Sequence, residues 1–273
     1  MANQTLKQAL VARGLCGDEE IPALVAEHRI LVGGSVATNV NRQVQPHDSI
    51  VVSPAASRFV GRGGLKLQQA FEHFALDVHG ATGVDVGSAT GGFSDCLLQH
   101  GATAVVAVDV GYGQLHERLR SDARILSLER TNIREVDRAR LEDLLSPLPA
   151  PTFLSADLSF SSVTVYLEQF VELLGGTGDI VILCKPQFEV SHELATKRNG
   201  VILDGDERRS AIHRVVDAMA DTGMSLQGVV ESPILGPAGN AEFLVHARLS
   251  GGTSTVDLDQ QIERSIANAG VLR

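Results

Sequence analysis

A glycine-rich segment is the strongest candidate for a ligand site in this sequence. It reads Gly83-Val84-Asp85-Val86-Gly87-Ser88-Ala89-Thr90-Gly91-Gly92-Phe93 and leads into an apolar stretch that contains Leu97 and Leu98. Because glycine has no side chain and adopts positive φ at little cost, such a turn lets a ligand lie directly against the main chain. The segment predicts a strand, a tight turn and a helix that hold a cofactor, although a plain strand-to-helix connection would give a similar pattern.

The spacing of the glycines excludes two common nucleotide sites. Gly87, Gly91 and Gly92 do not form the G-x-G-x-x-G pattern that holds a pyrophosphate, and no Gly-Lys-Ser/Thr of a Walker loop follows. Asp109 comes about 20 residues after the turn, at the end of the next predicted strand, where a carboxylate accepts hydrogen bonds from ribose hydroxyls. It could instead cap a helix.

The elements that must position these residues alternate between strand and helix from about residue 63 to the end. This alternation is typical of an α/β fold with a mainly parallel sheet covered on both faces. Seven strands are predicted, at residues 83–86, 104–108, 124–128, 152–156, 179–183, 226–231 and 242–249. The last two are too close in sequence for a crossover helix, so we expect an antiparallel pair at one edge, which is typical of the methyltransferase variant of the Rossmann-like fold. Leu258, Ile262 and Ile266 predict a terminal amphipathic helix within 256–269.

The first 52 residues predict a separate small α+β domain. Leu6, Leu10 and Val11 have helical spacing and Gly14 can end that helix, whereas residues 30–32 and 50–52 are strand-like with a turn at Gly33-Gly34. Residues 53–62 begin with the small, proline-containing run Ser-Pro-Ala-Ala-Ser and are the predicted linker. Residues 63–273 form the predicted catalytic domain.

Composition excludes several classes of protein. The 273 residues are 44% hydrophobic and 21% charged, as in a globular protein, and contain neither a membrane-spanning apolar run nor an N-terminal signal peptide. We therefore expect a cytoplasmic protein. Cys16, Cys96 and Cys184 are too far apart for a zinc site, and no metal is expected. The net charge of −10 opposes a nucleic-acid partner, although a local basic patch can act within an acidic chain.

The motifs resemble those of the TlyA family, whose members are named both haemolysins and ribosomal RNA ribose 2′-O-methyltransferases, within the wider FtsJ-like group. The matching segments lie at residues 58–67, 83–93, 109–115, 129–132, 156–160, 185–189 and 236–242. They occur in order and cover the whole predicted catalytic domain. The resemblance implies S-adenosylmethionine as cofactor and RNA, in particular a ribosomal subunit, as partner.

The resemblance also implies a catalytic Lys-Asp-Lys-Glu tetrad, which falls on Lys66, Asp157, Lys185 and Glu242. Methyl transfer to a ribose hydroxyl requires that the oxygen loses its proton as it attacks, and a lysine can stabilise the developing charge or take the proton. Lys185 is the candidate for the second role because it follows the apolar run at residues 180–184. Asp157 and Glu242 would orient the amines, although Asp157 could also cap a helix.

The predicted cofactor-binding residues are Asp85, Gly87, Ser88, Ala89, Thr90, Gly91, Gly92, Phe93, Asp109, Val110, Asn132 and Asp157. Within this set, Asp85 is expected to face the positively charged methionine end of the cofactor, because ligands of open sheets bind at the carboxyl ends of strands. Arg58 and Arg62 are the predicted RNA-binding residues, since they share an acid-free stretch with Lys66. Lys197 and Arg198 are possible helpers in the segment 190–204, which shows no clear periodicity and could be a lid.

The N-terminal domain loosely resembles the small RNA-binding fold named after ribosomal protein S-four. Its basic contacts are lost, because residues 1–52 carry four basic and five acidic side chains. It is therefore a structural remnant, a module for something other than ribosomal RNA, or a weak RNA binder.

Three other functions compete with RNA methylation. An O-methyltransferase of small molecules would suit the acidic charge. A membrane-active protein is disfavoured because no amphipathic basic helix exists, and a non-catalytic cofactor-binding protein is disfavoured because all four tetrad residues are present. The oligomeric state stays open.

Overall fold

The computed structural model describes residues 4–26, 29–33, 35–52, 58–250 and 256–271. The chain divides into two compact units, Met1–Arg58 and Phe59–Arg273. Residues 53–57 of the predicted linker lie outside the described residues. Phe59 is only 1% exposed and packs in the core of the second unit, which therefore starts before the helix at residue 63.

The first unit is built from short elements around a small apolar core. They are strand β1 (Gln4–Thr5), helix α1 (Leu6–Ala12), a 3-10 turn (Asp18–Glu20), helix α2 (Ile21–Ala26) and strands β2 (Ile30–Val32), β3 (Ser35–Val36), β4 (Gln43–Val44) and β5 (Ile50–Val52). Helix α1 begins at Thr5, whose hydroxyl accepts a hydrogen bond from the Gln8 main-chain N–H. The two predicted strands, β2 and β5, pair with each other, but the chain after Gly33 leads into β3, which pairs on the other side of β2. Gly34 of the predicted turn lies outside the described residues.

The second unit alternates strands and helices as the sequence predicts. Its elements are α3 (Gly63–Phe74), β6 (Thr82–Val86), α4 (Gly92–Gln99), β7 (Ala104–Val108), α5 (Glu117–Arg120), β8 (Ile125–Leu128), α6 (Arg138–Leu145), β9 (Phe153–Ala156), α7 (Leu167–Leu174), β10 (Gly178–Cys184), α8 (Pro186–Glu189), α9 (His192–Lys197), α10 (Gly205–Asp221), β11 (Ser225–Glu231), β12 (Phe243–Leu249) and α11 (Leu258–Ala269). Two 3-10 turns, Ile133–Glu135 and Val163–Tyr166, follow β8 and β9.

Seven strands form one sheet in the order β11-β12-β10-β9-β6-β7-β8. All neighbours are parallel except β12, which is antiparallel to both β10 and β11. The predicted antiparallel pair at one edge is therefore confirmed, as is the Rossmann-like fold. The chain order brings the carboxyl ends of β6, β7, β9 and β10 to one edge, where ligands of open α/β sheets bind.

Helices cover both faces of the sheet and bury its central strands. Every residue of β6, β7 and β9 is buried, as expected for parallel strands between two helical layers. One apolar cluster contains Phe170, Ile212 and Ile262 of the covering helices, and the other contains Leu67 and Leu97. Burial at this level makes the edge that carries the site a rigid platform.

The segment 190–204 differs from the irregular loop that the sequence predicts. Helix α9 lies within it, and Ser191 caps this helix by accepting a hydrogen bond from the Leu194 N–H. Ile202 is fully buried, and its main-chain N–H donates a hydrogen bond to Asn240 Oδ1 at 2.8 Å. A six-residue helix is too short to show a clear period, which explains why it was missed.

Candidate active site

Four charged side chains from distant parts of the sequence meet at one edge of the sheet. The Lys66 ammonium lies 2.5 Å from a Glu242 carboxylate oxygen and 3.7 Å from Asp157 Oδ2. The Lys185 ammonium lies 2.5 Å from Asp157 Oδ1 and donates a hydrogen bond to Ser159 Oγ at 3.0 Å. The structure therefore joins the predicted tetrad into one chain of ion pairs in which both lysines share Asp157.

The fold places each member of the tetrad at the same edge. Lys66 lies in the first turns of α3, Asp157 and Lys185 directly follow β9 and β10, and Glu242 directly precedes β12. Because β9 and β10 are parallel and β12 runs against them, the three strand positions coincide. The lysine side chains are 9% exposed and that of Glu242 is 1% exposed. Two ammonium groups and two carboxylates balance in charge, which is what a nearly dry cluster requires.

A cavity of about 390 Å³ lies beside the tetrad, and Asp157 belongs to both. This volume lies within the range of about 300–1,000 Å³ that is typical of small-molecule sites. The cavity walls come from the ends of β6 and β7 and from the segments that follow β8 and β9. The predicted cofactor residues among the lining are Gly87, Ala89, Asp109, Val110, Asn132 and Asp157.

Asp109 organises the floor of the cavity. One of its carboxylate oxygens accepts a hydrogen bond from the Ala89 N–H at 2.8 Å, and the other accepts one from the Gly111 N–H at 2.6 Å. Each carboxylate oxygen has a second lone pair, so Asp109 can also accept from a ligand hydroxyl. Asp109 therefore connects the turn at Ala89 to the segment at Gly111, and its carboxylate can still accept hydrogen bonds from a ligand in the cavity.

Gly87 lets two main-chain segments approach closely. Its φ is +81°, and a Cβ at this position would lie 2.5 Å from the main-chain carbonyl oxygen of Asp157. A larger residue would therefore be strained and would also displace the segment that carries Asp157.

Asp85 supports the glycine turn from beneath. It is fully buried, and one carboxylate oxygen accepts hydrogen bonds from the Ser94 N–H at 2.9 Å and the Ser94 hydroxyl at 2.6 Å. Burial raises the pKa of Asp85 to about 7, although the bonds from Ser94 act in the opposite direction. Asp85 lies outside the cavity lining and ties β6 to the first turn of α4.

Five other predicted cofactor residues also lie outside the lining: Ser88, Thr90, Gly91, Gly92 and Phe93. Gly92 permits close packing of α3 and α4, since a Cβ there would lie 2.8 Å from the Gly64 nitrogen. Phe93 is 3% exposed and belongs to an apolar cluster of the second unit. In this structure, these two residues shape the turn through packing.

The cavity has lining residues that sequence reasoning did not assign. They are Val86, Val108, Gly111, Gln114, Thr131, Ile133, Leu158, Ser159, Phe160, Ser161 and Tyr166. Thr131 and Ile133 flank the predicted Asn132, which follows a strand. The same position after the strand could have identified its two neighbours as lining residues. Tyr166 lies nine residues beyond Asp157, in a 3-10 turn that gives no periodic pattern.

Glu189 is a second buried carboxylate near the tetrad. It is 3% exposed, and it accepts hydrogen bonds from the Ser162 hydroxyl at 2.5 Å and from the Val163 N–H at 2.9 Å. Burial raises the pKa of Glu189, against the effect of these bonds. Glu189 therefore fastens the turn after Lys185 to the segment that follows Asp157.

The basic residues predicted to bind RNA lie on the surface. Arg62 is exposed at the residue preceding α3, and Arg58 is exposed at the end of the first unit. A cation at a helix N-terminus opposes the helix dipole, so Arg62 does not stabilise α3 from this position. Lys197 is also exposed, whereas Arg198 pairs with Glu207 at 2.6 Å.

Among the described residues, no group of three or more histidine, cysteine or acidic side chains is arranged to hold a metal ion. In the same part of the chain, no helix combines the length and apolarity of a membrane span.

Comparisons with known proteins agree with the geometry. The family model for FtsJ-like methyltransferases matches residues 59–249. A Bacillus subtilis protein named as a candidate rRNA methyltransferase, YqxC, is 37% identical over 254 residues, which cover 91% of this chain and 86% of the relative. The 16S/23S rRNA (cytidine-2′-O)-methyltransferase TlyA of Mycobacterium tuberculosis is 35% identical over 262 residues, which cover 94% and 95% of the two chains.

A solved structure from Streptococcus thermophilus, described as a candidate hemolysin, has a TM-score of 0.72 to this chain at 31% identity. The match covers 98% of this chain and 96% of that one. Because the first unit is 58 residues long, a match of this extent includes it as well as the second unit.

Proposed function

Because the chain belongs to the FtsJ-like methyltransferase family, and is thus an S-adenosylmethionine-dependent methyltransferase, we propose that it methylates a ribose 2′-hydroxyl of ribosomal RNA. The carrying observation is that Asp157 belongs both to the two-lysine, two-carboxylate cluster and to the cavity lining. The names of the Bacillus subtilis and Mycobacterium tuberculosis relatives support RNA as the substrate.

The residues of the cavity fit S-adenosylmethionine. When bound, this cofactor supplies a methyl group carried on a positively charged sulfur. Asp109 offers acceptors for ribose hydroxyls, and the Asp157 carboxylate favours positive charge at the tetrad end of the cavity. Val108 and Ile133 provide apolar surface for a flat base.

The two lysines would supply what a ribose hydroxyl needs to become a nucleophile. Lys185 Nζ, in its neutral form, would accept the proton of the 2′-hydroxyl, and Lys66 would place positive charge near the developing negative oxygen. The ion pairs to Asp157 and Glu242 would hold both amines in position. Removing one amine from such a site typically costs about 10²- to 10⁴-fold in rate.

Support for a ribosomal substrate comes from the relatives together with the exposed Arg58 and Arg62. A ribosomal substrate would place the reaction in the cytoplasm. The first unit, with four basic and five acidic residues up to residue 52, would contribute shape more than charge to this recognition.

One observation favours a second candidate, an O-methyltransferase of small molecules. The net charge of −10 is unusual for a protein that approaches phosphates. A small hydroxylated substrate would need no basic surface.

Transfer of a tritiated methyl group from the cofactor to purified ribosomal subunits tests the proposal. We expect label in ribosomal RNA with the wild-type protein and a loss of at least about 100-fold with Lys185→Ala. Arg124→Ala, which removes an exposed cation that is paired with Asp122, is the control and should keep full activity. Absence of label in any RNA, from protein that still binds the cofactor, would favour the small-molecule alternative.

A further inference from the structure

Two arginines lie over tyrosine rings beside the cavity. The Arg130 guanidinium carbon lies 4.0 Å from the centre of the Tyr112 ring, and that of Arg134 lies 4.9 Å from the centre of the Tyr166 ring. Tyr166 lines the cavity, and so do residues 131–133, which the two arginines bracket in sequence. Both guanidinium groups are therefore presented next to the cofactor site.

The main chain fixes the position of each arginine. The Arg130 N–H donates to the carbonyl of Gly111 at 2.9 Å, and Arg130 adopts a φ of +53°. The Arg134 N–H donates to the Asn132 side chain at 3.1 Å. Gly111 and Asn132 both line the cavity, so these contacts connect the arginines to its wall.

Neither guanidinium group pairs with a carboxylate among the residues that the structure describes. Other arginines of the same region do: Arg120 with Glu129, Arg124 with Asp122 and Arg138 with Glu142. The acidic neighbours in sequence are Glu129, which is already engaged by Arg120, and Glu135, which is exposed. In a chain of net charge −10, two arginines without a carboxylate partner create a local site for an anion.

Their position over a tyrosine ring suits these arginines to phosphate. The ring attracts the cation without using its N–H groups, which stay available for an oxyanion. The fork of N–H groups matches phosphate oxygens, and less side-chain entropy is lost when the group is already held.

We propose that Arg130 and Arg134 form a phosphate-binding pair that contacts the RNA backbone near the nucleotide to be methylated. This inference rests on the proposed RNA substrate. The pair would compensate locally for the acidic charge of the chain and would position the RNA without reading its sequence. The cofactor contains no phosphate, so the pair would affect RNA binding and leave cofactor binding unchanged.

Binding of in vitro transcribed, unmethylated 16S and 23S rRNA, measured at several salt concentrations, tests the pair. We expect Arg130→Ala and Arg134→Ala each to weaken RNA binding by roughly three- to tenfold and to reduce the salt slope by about 1. Arg130→Lys keeps the charge but loses the planar fork, so we expect an intermediate effect. Arg124→Ala is the matched control, because Arg124 lies at the other end of β8 and is neutralised by Asp122. Circular dichroism verifies that each variant is folded.

Three results would overturn the inference. If wild-type protein methylates the RNA and both alanine variants bind it with unchanged affinity and salt slope, the pair has no role in RNA binding, although the proposed function stands. If either alanine variant weakens binding of S-adenosylmethionine by the same factor as binding of RNA, the arginines serve the cofactor site instead. If the wild-type protein neither binds nor methylates RNA, the proposed function fails together with the inference.

Discussion

Replacing Asp85 with asparagine tests the electrostatics beneath the cofactor turn. Asparagine has nearly the same shape, and its carbonyl oxygen can accept both hydrogen bonds from Ser94, but it carries no charge. Burial raises the pKa of Asp85 from 3.8 to about 7, so the folded protein resists ionisation of this group. We therefore expect Asp85→Asn to stabilise the protein at alkaline pH.

The magnitude follows from linkage between protonation and folding. Between pH 4 and pH 7 the folded state holds a proton on Asp85 that the unfolded state has lost, so its contribution to stability falls as pH rises through this window. At 1.36 kcal/mol per pKa unit, burial of Asp85 costs about 2 kcal/mol at pH 5 and about 4 kcal/mol at pH 8. The stability of the variant relative to wild type should therefore increase by about 2 to 3 kcal/mol between these pH values.

Urea unfolding followed by circular dichroism is the appropriate assay, because the chain contains no tryptophan. Asp122→Asn is the control. Hydrogen bonds from Arg124 lower the pKa of Asp122 to about 2, so its stabilisation is lost only as pH falls below about 4. Its effect on stability should be constant between pH 5 and pH 8. A difference between Asp85→Asn and wild type that is equally independent of pH would refute the reasoning.

Three further substitutions probe how the site is held. Gly87→Ala should weaken S-adenosylmethionine binding at least tenfold by calorimetry, because the added methyl group would displace Asp157. The control is Gly113→Ala: Gly113 has a φ of +70° but no atom near its Cβ, so the substitution should cost about 1–3 kcal/mol of folding stability through backbone strain and leave cofactor binding unchanged. Equal losses of cofactor binding in the two variants would contradict the close approach to Asp157. Glu189→Ala should lower kcat by about tenfold or more, because two hydrogen bonds to the segment after Asp157 are lost, and Glu189→Gln should retain most of the activity. Full activity of the alanine variant would show that the hydrogen bond to Ser162 does not position the site. Asp109→Ala should raise the KM for the cofactor by roughly ten- to 100-fold, and an unchanged KM would place the ribose elsewhere.

The fold was predictable because its patterns are strong. Apolar runs such as residues 104–108 are buried on both faces, and a strand between two helical layers must be continuously apolar. The short gap between the last two strands excluded a crossover helix and so identified β12 as antiparallel. The strand β3 and the helix α9 were harder to predict, because elements of two to six residues have no measurable period.

The site was predictable only in part. Spacing and motif resemblance brought together Lys66, Asp157, Lys185 and Glu242, which the structure joins by ion pairs. The same reasoning treated the whole glycine turn as ligand contact. The role of Asp85 toward the cofactor stays a prediction: its carboxylate contacts Ser94 of α4 and lies outside the cavity lining, and strand direction alone does not show which way a side chain faces.

The contact of Arg130 with Tyr112 had no sequence signal. The two residues are 18 positions apart, in segments that the pairing of β7 with β8 and the hydrogen bond from the Arg130 N–H to the Gly111 carbonyl bring together. Such contacts depend on tertiary register and become visible only when the sheet is assembled.

The most direct measurement of the central claim is alkaline hydrolysis of ribosomal RNA after methylation with labelled cofactor. Alkali cleaves RNA through the 2′-hydroxyl, so a methyl group on that oxygen protects the adjacent bond. We predict that the label appears in an alkali-resistant dinucleotide with the wild-type protein and disappears with Lys185→Ala. Label recovered in single nucleotides, on a base, would contradict the assignment of the two lysines and Asp157 to a ribose oxygen.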